Sequence, residues 1–85
     1  MPFAIDRTVL IRAVDLALAA DWNGAHGLID AVDDDPTACW IHACLLKAEG
    51  DETNARAWYR RSGQFYESFA DCSAELAAIK AALTY

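Results

Sequence analysis

His26 and His42 are the only imidazoles in this chain of 85 residues, and with Glu49 and Tyr59 they are the side chains whose types suit proton transfer or capture of a small ligand. His42, Leu46 and Glu49 recur along one stripe of a predicted helix, beside its apolar face, so a His42 and Glu49 pair is open near that helix's end. His26 sits on the flank of the preceding helix. If packing brought both imidazoles together with Glu49 or Tyr59, nitrogen and carboxylate donors would form a suitable ligand set. Histidines that lack an i, i+4 partner histidine are more often packing or surface residues, so neither a metal nor a cofactor is expected.

Arg56, Arg60 and Arg61 place three of the seven basic residues in one helix. Planar guanidinium forks suit an acidic peptide or a small anion. Charge pairing is the simpler expectation: Asp30 and Asp33 on the second helix would face Arg56 and Arg60, which would explain acids at a helix C-terminus, where they oppose the macrodipole. Asn54, like Glu49 and the arginines, has no evident structural task and is a candidate partner contact. Signatures of catalysis are missing: the sequence has no phosphate-cradling glycine loop, no acid/base carboxylate pair of defined spacing and no hydrolase elbow. Cys39 and Cys72 read as small buried hydrophobes, since no base lies beside them. Cys39 and Cys44 are five positions apart, which turns their side chains about 140° from each other on a helix and prevents a bridge.

These side chains belong to one domain that buries only about 60 to 65 % of its unfolded surface. Hydrophobic residues make up 55 % of the chain, with two prolines and four glycines, which is the composition of a packed helical protein. A net charge of −6 repels phosphate backbones and anionic membranes. Three cysteines without a CxxC motif, no basic leader region and no apolar run of about 18 residues together predict a cytoplasmic chain with reduced thiols and no membrane contact.

Apolar spacing predicts a first helix over about 6–20, capped by Asp6, with Leu10, Ala13, Val14, Ala17 and Leu18 inward. A turn at 21–24 leads to a second helix reaching about Asp33, with Ala25, Leu28, Ile29 and Val32 buried. Asp35 followed by Pro36 opens the third helix, which runs to about Glu49. Gly50 and Asp51 turn the chain into the fourth, where Ala55, Trp58, Tyr59 and Ser62 face inward and Gly63 stops it. Ser68 with Asp71 is a capping-box-like start for a fifth helix over about 68–84, striped by Phe69, Cys72, Leu76, Ile79 and Leu83. Trp22, Phe65 and Tyr66 are expected to stay partly exposed, as interface aromatics do. Ala25, Leu28, Ile29 and Val32 lie 30 positions before Ala55, Trp58, Tyr59 and Ser62, and Asp21 lies 30 before Asp51, as expected of two degenerate copies of one hairpin.

The stretch Gly50-Asp51, Ala55, Trp58-Tyr59 resembles the second helix of a tetratricopeptide repeat, with Ser62 in place of the last alanine and Trp40 and Cys44 near the first-helix signature positions, about one residue short in spacing. Trp40-Ile41-His42-Ala43, Glu49-Gly50-Asp51, Asn54-Ala55 and Trp58-Tyr59-Arg60-Arg61 are also similar to a set of small bacterial proteins to which no activity is assigned. The resemblance implies an all-α fold of five helices: two antiparallel hairpins at about 6–34 and 36–63, stacked in the tetratricopeptide-like manner, and a C-terminal capping helix at about 68–84. It also implies a non-catalytic module for a protein partner or for self-association as a homodimer. The alternative is a small-ligand-binding protein or enzyme with a polar site around His42, Glu49 and Tyr59.

Overall fold

The computed structural model describes residues 7–32 and 35–84, so the expected cap Asp6 and the expected partner Asp33 lie outside the described residues. Among the described residues the chain is all-α: α1 (Arg7–Leu18), α2 (Trp22–Asp30), α3 (Pro36–Ala48), α4 (Glu52–Ser62) and α5 (Cys72–Thr84), with a 3₁₀ turn at Tyr66–Ser68 and no strand. Local chemistry sets the ends. The Asp35 carboxylate accepts from Thr37 N at 2.9 Å and Ala38 N at 3.1 Å, and Pro36 fills the first helical position, where its missing N–H costs nothing. Gly63 ends α4 in the left-handed region at φ 79°.

The fifth helix begins later than the sequence suggests. Asp71 is the capping side chain, accepting from Ser73 N and Ala74 N at 3.3 Å each, whereas Ser68 is held in the 3₁₀ turn by its own amide bond to Phe65 O. Two acceptor oxygens on Asp71 satisfy two orphan amides, which a hydroxyl at position 68 cannot match. Phe69 is therefore outside the helix.

The α1–α2 and α3–α4 turns have the same backbone, 30 positions apart. Ala20 N donates to Ala17 O and Asp21 N to Leu16 O; Gly50 N donates to Lys47 O and Asp51 N to Leu46 O. Each is the double bond that closes a helix through a left-handed residue. Asp21 and Asp51 then cap the following helices by accepting from Gly24 N and Asn54 N. Gly50 adopts φ 84° without penalty, while Ala20 holds φ 65° at a cost of about 1 kcal/mol.

α3 is buried on nearly every side: Ala38, Cys39, Ile41, His42, Ala43, Cys44 and Leu45 are all inside. It packs against α1, α2, α4 and α5, which explains a helix apolar all round. On one flank Leu10, Val14, Ile29, Ile41, Leu45, Leu76 and Ile79 form the main core, and on the other Ala43, Ala55 and Tyr59 form a smaller one. Leu76, Ile79 and Leu83 lay α5 against α1 and α3, and Lys80 Nζ reaches Asp15 Oδ1 at 2.7 Å. Each fully buried leucine or isoleucine contributes about 1.5 to 3 kcal/mol. No helix among the described residues is long and apolar enough to cross a membrane.

Candidate functional site

Because α2 and α4 both pack on α3 rather than on each other, their side chains meet over its surface. Trp58 of α4 lies flat on His42 of α3, with ring centroids 4.0 Å apart and planes at 23°. The edge of His26 from α2 meets His42 at 5.4 Å and 84°. Arg61 places its guanidinium carbon 4.3 Å from the Trp58 centroid, a cation–π contact that desolvates neither partner fully. Glu49, next to the α3–α4 turn, bonds His26 Nε2 at 2.6 Å. An ionised carboxylate only accepts, so Nε2 is the donor in this bond.

Asp30 lies one turn after His26 on α2, and the ligand atoms of His26, Asp30 and His42 all fall within 4.8 Å of one another. Among the described residues these three could hold a metal ion, and the Glu49 bond would then fix the His26 ring as carboxylates do for metal-bound histidines. The two histidines and Glu49 are thus brought together, but the pairing differs from the sequence expectation. His42 is 9 % exposed, inside rather than beside the apolar face, because Trp58 covers it; Glu49 stays at the surface and bonds His26 instead. Asp30 was legible: His26 and Asp30 are an i, i+4 pair of donors on one helix face.

Tyr59 points elsewhere. Its hydroxyl donates at 2.5 Å to Glu75 Oε2, which also accepts from Trp40 Nε1 at 2.9 Å. Glu75 is 0 % exposed, and its other oxygen accepts from Lys47 Nζ at 3.3 Å. Lys47 spends its remaining donors on the carbonyls of Tyr66 at 2.7 Å and Phe69 at 2.6 Å, and so ties the α4–α5 linker to α3. Burial, and then the bond to Glu75, hold the Tyr59 phenol far above its ordinary range, which fixes it as a donor and removes it from proton transfer. Sequence reasoning passed over Glu75, although it sits three residues after Cys72 and four before Ile79, on the buried stripe of α5.

Arg56 also finds partners nearer than α2. Arg56 Nε donates to Glu52 Oε2 at 2.8 Å and Nη1 to Glu67 Oε2 at 2.7 Å, with its guanidinium 4.1 Å from the Tyr66 ring. The Arg56 hydrogen bond holds the Glu67 carboxyl below its usual value. Both carboxylates that Arg56 engages lie on α4 itself or on the linker after it, so its pairing makes no use of α2. Asn54 is occupied locally, donating Nδ2 to Asp51 Oδ2 at 2.7 Å as part of the α4 cap. Arg56, Tyr59, Arg60, Gln64, Phe65, Tyr66 and Glu67 line a cleft of about 120 Å³ where α4 meets the 3₁₀ turn. Comparison with protein-family models, curated proteins and solved structures finds no match to this chain.

Proposed function

We propose that the chain is a non-catalytic binding module of helical-hairpin type whose cleft beside α4 holds an acidic segment of a partner protein. The observation that carries this is Phe65, 72 % exposed in a cleft it shares with Arg60. Arg60 makes no ion pair among the described residues. An aromatic ring beside an uncommitted guanidinium has the composition of an interface centre, and carboxylates are its complement. The matched turns at Ala20-Asp21 and Gly50-Asp51 support a tetratricopeptide-like origin for the two hairpins. A second copy of the chain is a weaker complement, because two chains each carrying a net charge of −6 repel one another.

Fluorescence anisotropy with a labelled peptide carrying one leucine between aspartates and glutamates tests this. Binding is expected, weakened by added salt and lowered roughly tenfold or more by Phe65→Ser and by Arg60→Glu. Equal affinity for a basic peptide, or affinities indifferent to both substitutions, would remove the acidic partner. A mass that doubles with concentration and reverts in Phe65→Ser would put a second copy in the cleft instead.

The imidazole cluster favours a second role, as a site for a divalent transition metal. Donor atoms around tetrahedral zinc lie about 3.3 to 3.6 Å apart, so closing the 4.8 Å spread of His26, Asp30 and His42 takes small side-chain rotations. Zinc at a hundredfold excess over its dissociation constant is then expected to stabilise the fold by about 2.7 kcal/mol in calorimetric melts. His26→Gln and Asp30→Asn should each abolish that gain. An unchanged gain in both would assign the trio to packing.

A further inference from the structure

We propose that Cys44 and Cys72 form a redox-active dithiol, oxidised to an intrachain disulfide between α3 and α5 by small disulfides such as oxidised glutathione. Their sulfurs lie 3.3 Å apart although the residues are 28 positions apart in the chain. This is van der Waals contact or closer, and forming the bond needs a further approach to about 2.05 Å.

The two thiols have different surroundings. Cys44 is fully buried in the main core, and Cys72 is partly exposed as the first residue of α5, with its thiol also turned toward Cys44 O at 3.8 Å. The N-terminus of a helix favours a thiolate. The hydrogen bond from Cys44 lowers the Cys72 thiol below its ordinary range, and the Lys47 ammonium acts in the same sense, against burial and the charges of Glu75 and Asp71. Cys44 is enclosed by the core while Cys72 is reachable from solvent, so an external disulfide meets Cys72 first. This separates an attacking sulfur from a resolving one.

The steps balance. The Cys72 thiolate attacks one sulfur of the glutathione disulfide, forms a mixed disulfide and expels one glutathione thiolate. Cys44 then loses its proton to that thiolate or to solvent, attacks the Cys72 sulfur and expels the second. Two protein thiols are oxidised, one external disulfide is reduced to two thiols, and no further oxidant is needed. Cys39 takes no part: it is five positions before Cys44 on the same helix and is buried.

The test uses the full chain carrying Cys39→Ala, equilibrated in glutathione buffers of graded oxidised-to-reduced ratio, then trapped by alkylation and read by intact and peptide mass spectrometry. Expected is a single two-electron transition to a form lacking two hydrogens, with a Cys44–Cys72 linked peptide and little mixed disulfide. In the reduced chain Cys72 should alkylate roughly tenfold faster than Cys44. Cys44→Ala should trap glutathione on Cys72. Two thiols persisting across the series, or a linkage that appears only in denaturant, would overturn the proposal, and neither result depends on a substitution at the pair.

Discussion

Replacing Glu75 by leucine is expected to cost about 3 to 5 kcal/mol, a large share of the roughly 4 to 13 kcal/mol that holds an 85-residue domain together. The carboxylate is 0 % exposed and serves three donors, the Tyr59 hydroxyl, the Trp40 indole N–H and the Lys47 ammonium. Leucine fills similar space but leaves all three without their acceptor. Trp40 and Tyr59 each lose a hydrogen bond, and a buried donor left unmet costs about 1 to 3 kcal/mol. Lys47, whose side chain is only 11 % exposed, would keep two carbonyls but no counter-charge. The largest part of the loss comes from that orphaned charge rather than from a strong bond destroyed. Urea denaturation of Glu75→Leu, Lys47→Met and the double variant separates the two accounts. If the orphaned charge dominates, the double variant recovers about half or more of the Glu75→Leu loss, because removing a buried pair together is often nearly neutral. A Glu75→Leu chain within 1 kcal/mol of the parent would show that the network stabilises nothing.

The same network explains why some of the molecule can be read from its sequence and some cannot. Turn chemistry is local: Gly50 with Asp51 announces its geometry, and the 30-residue register carries it to Ala20 and Asp21, where alanine alone would hide a left-handed residue. The apolar stripes likewise find Leu10, Ala13, Val14 and Ala17 on α1 and Ala55 and Tyr59 on α4, whereas Leu18, expected inward at the end of α1, is 43 % exposed. Helix starts are less legible, because Ser68 and Asp71 are both good caps, and Asp71 takes the role while the linker around Ser68 is tied to Lys47. Charge pairing fails for a different reason. Arg56 has carboxylates within reach on its own helix and linker and engages both, and that Glu67 is one of them depends on how the helices layer around α3. The meeting of His26, His42 and Trp58 is a product of that same layering. So is the contact of Cys44 with Cys72, which requires α5 to begin at Cys72 and to cross α3 there.

Oxidation of that thiol pair is expected to raise the stability of the native chain by about 3 to 4 kcal/mol, the chain-entropy value for closing a loop spanning the 28 positions from Cys44 to Cys72. In a domain of this size the melting temperature would rise by about 15 °C or more. Two effects oppose the gain. Drawing the sulfurs from 3.3 Å to bonding distance shifts α3 or the start of α5 slightly, and Glu75, one turn further along α5, must keep its donors through that shift. The first costs strain that grows with the movement; the second is protected because Lys47 holds the linker independently through Tyr66 and Phe69. Folding and redox equilibria form a closed cycle, so the same free energy must appear as a potential. The native pair should be harder to reduce than the pair in the unfolded chain by about 60 to 90 mV for this two-electron couple. Paired guanidinium melts of the oxidised and reduced forms give the first quantity, and glutathione titrations with and without denaturant give the second. Agreement between them identifies the gain with the disulfide itself, whereas an oxidised chain that melts below the reduced one would mean that strain exceeds the loop-closure term and that the native packing opposes the bond.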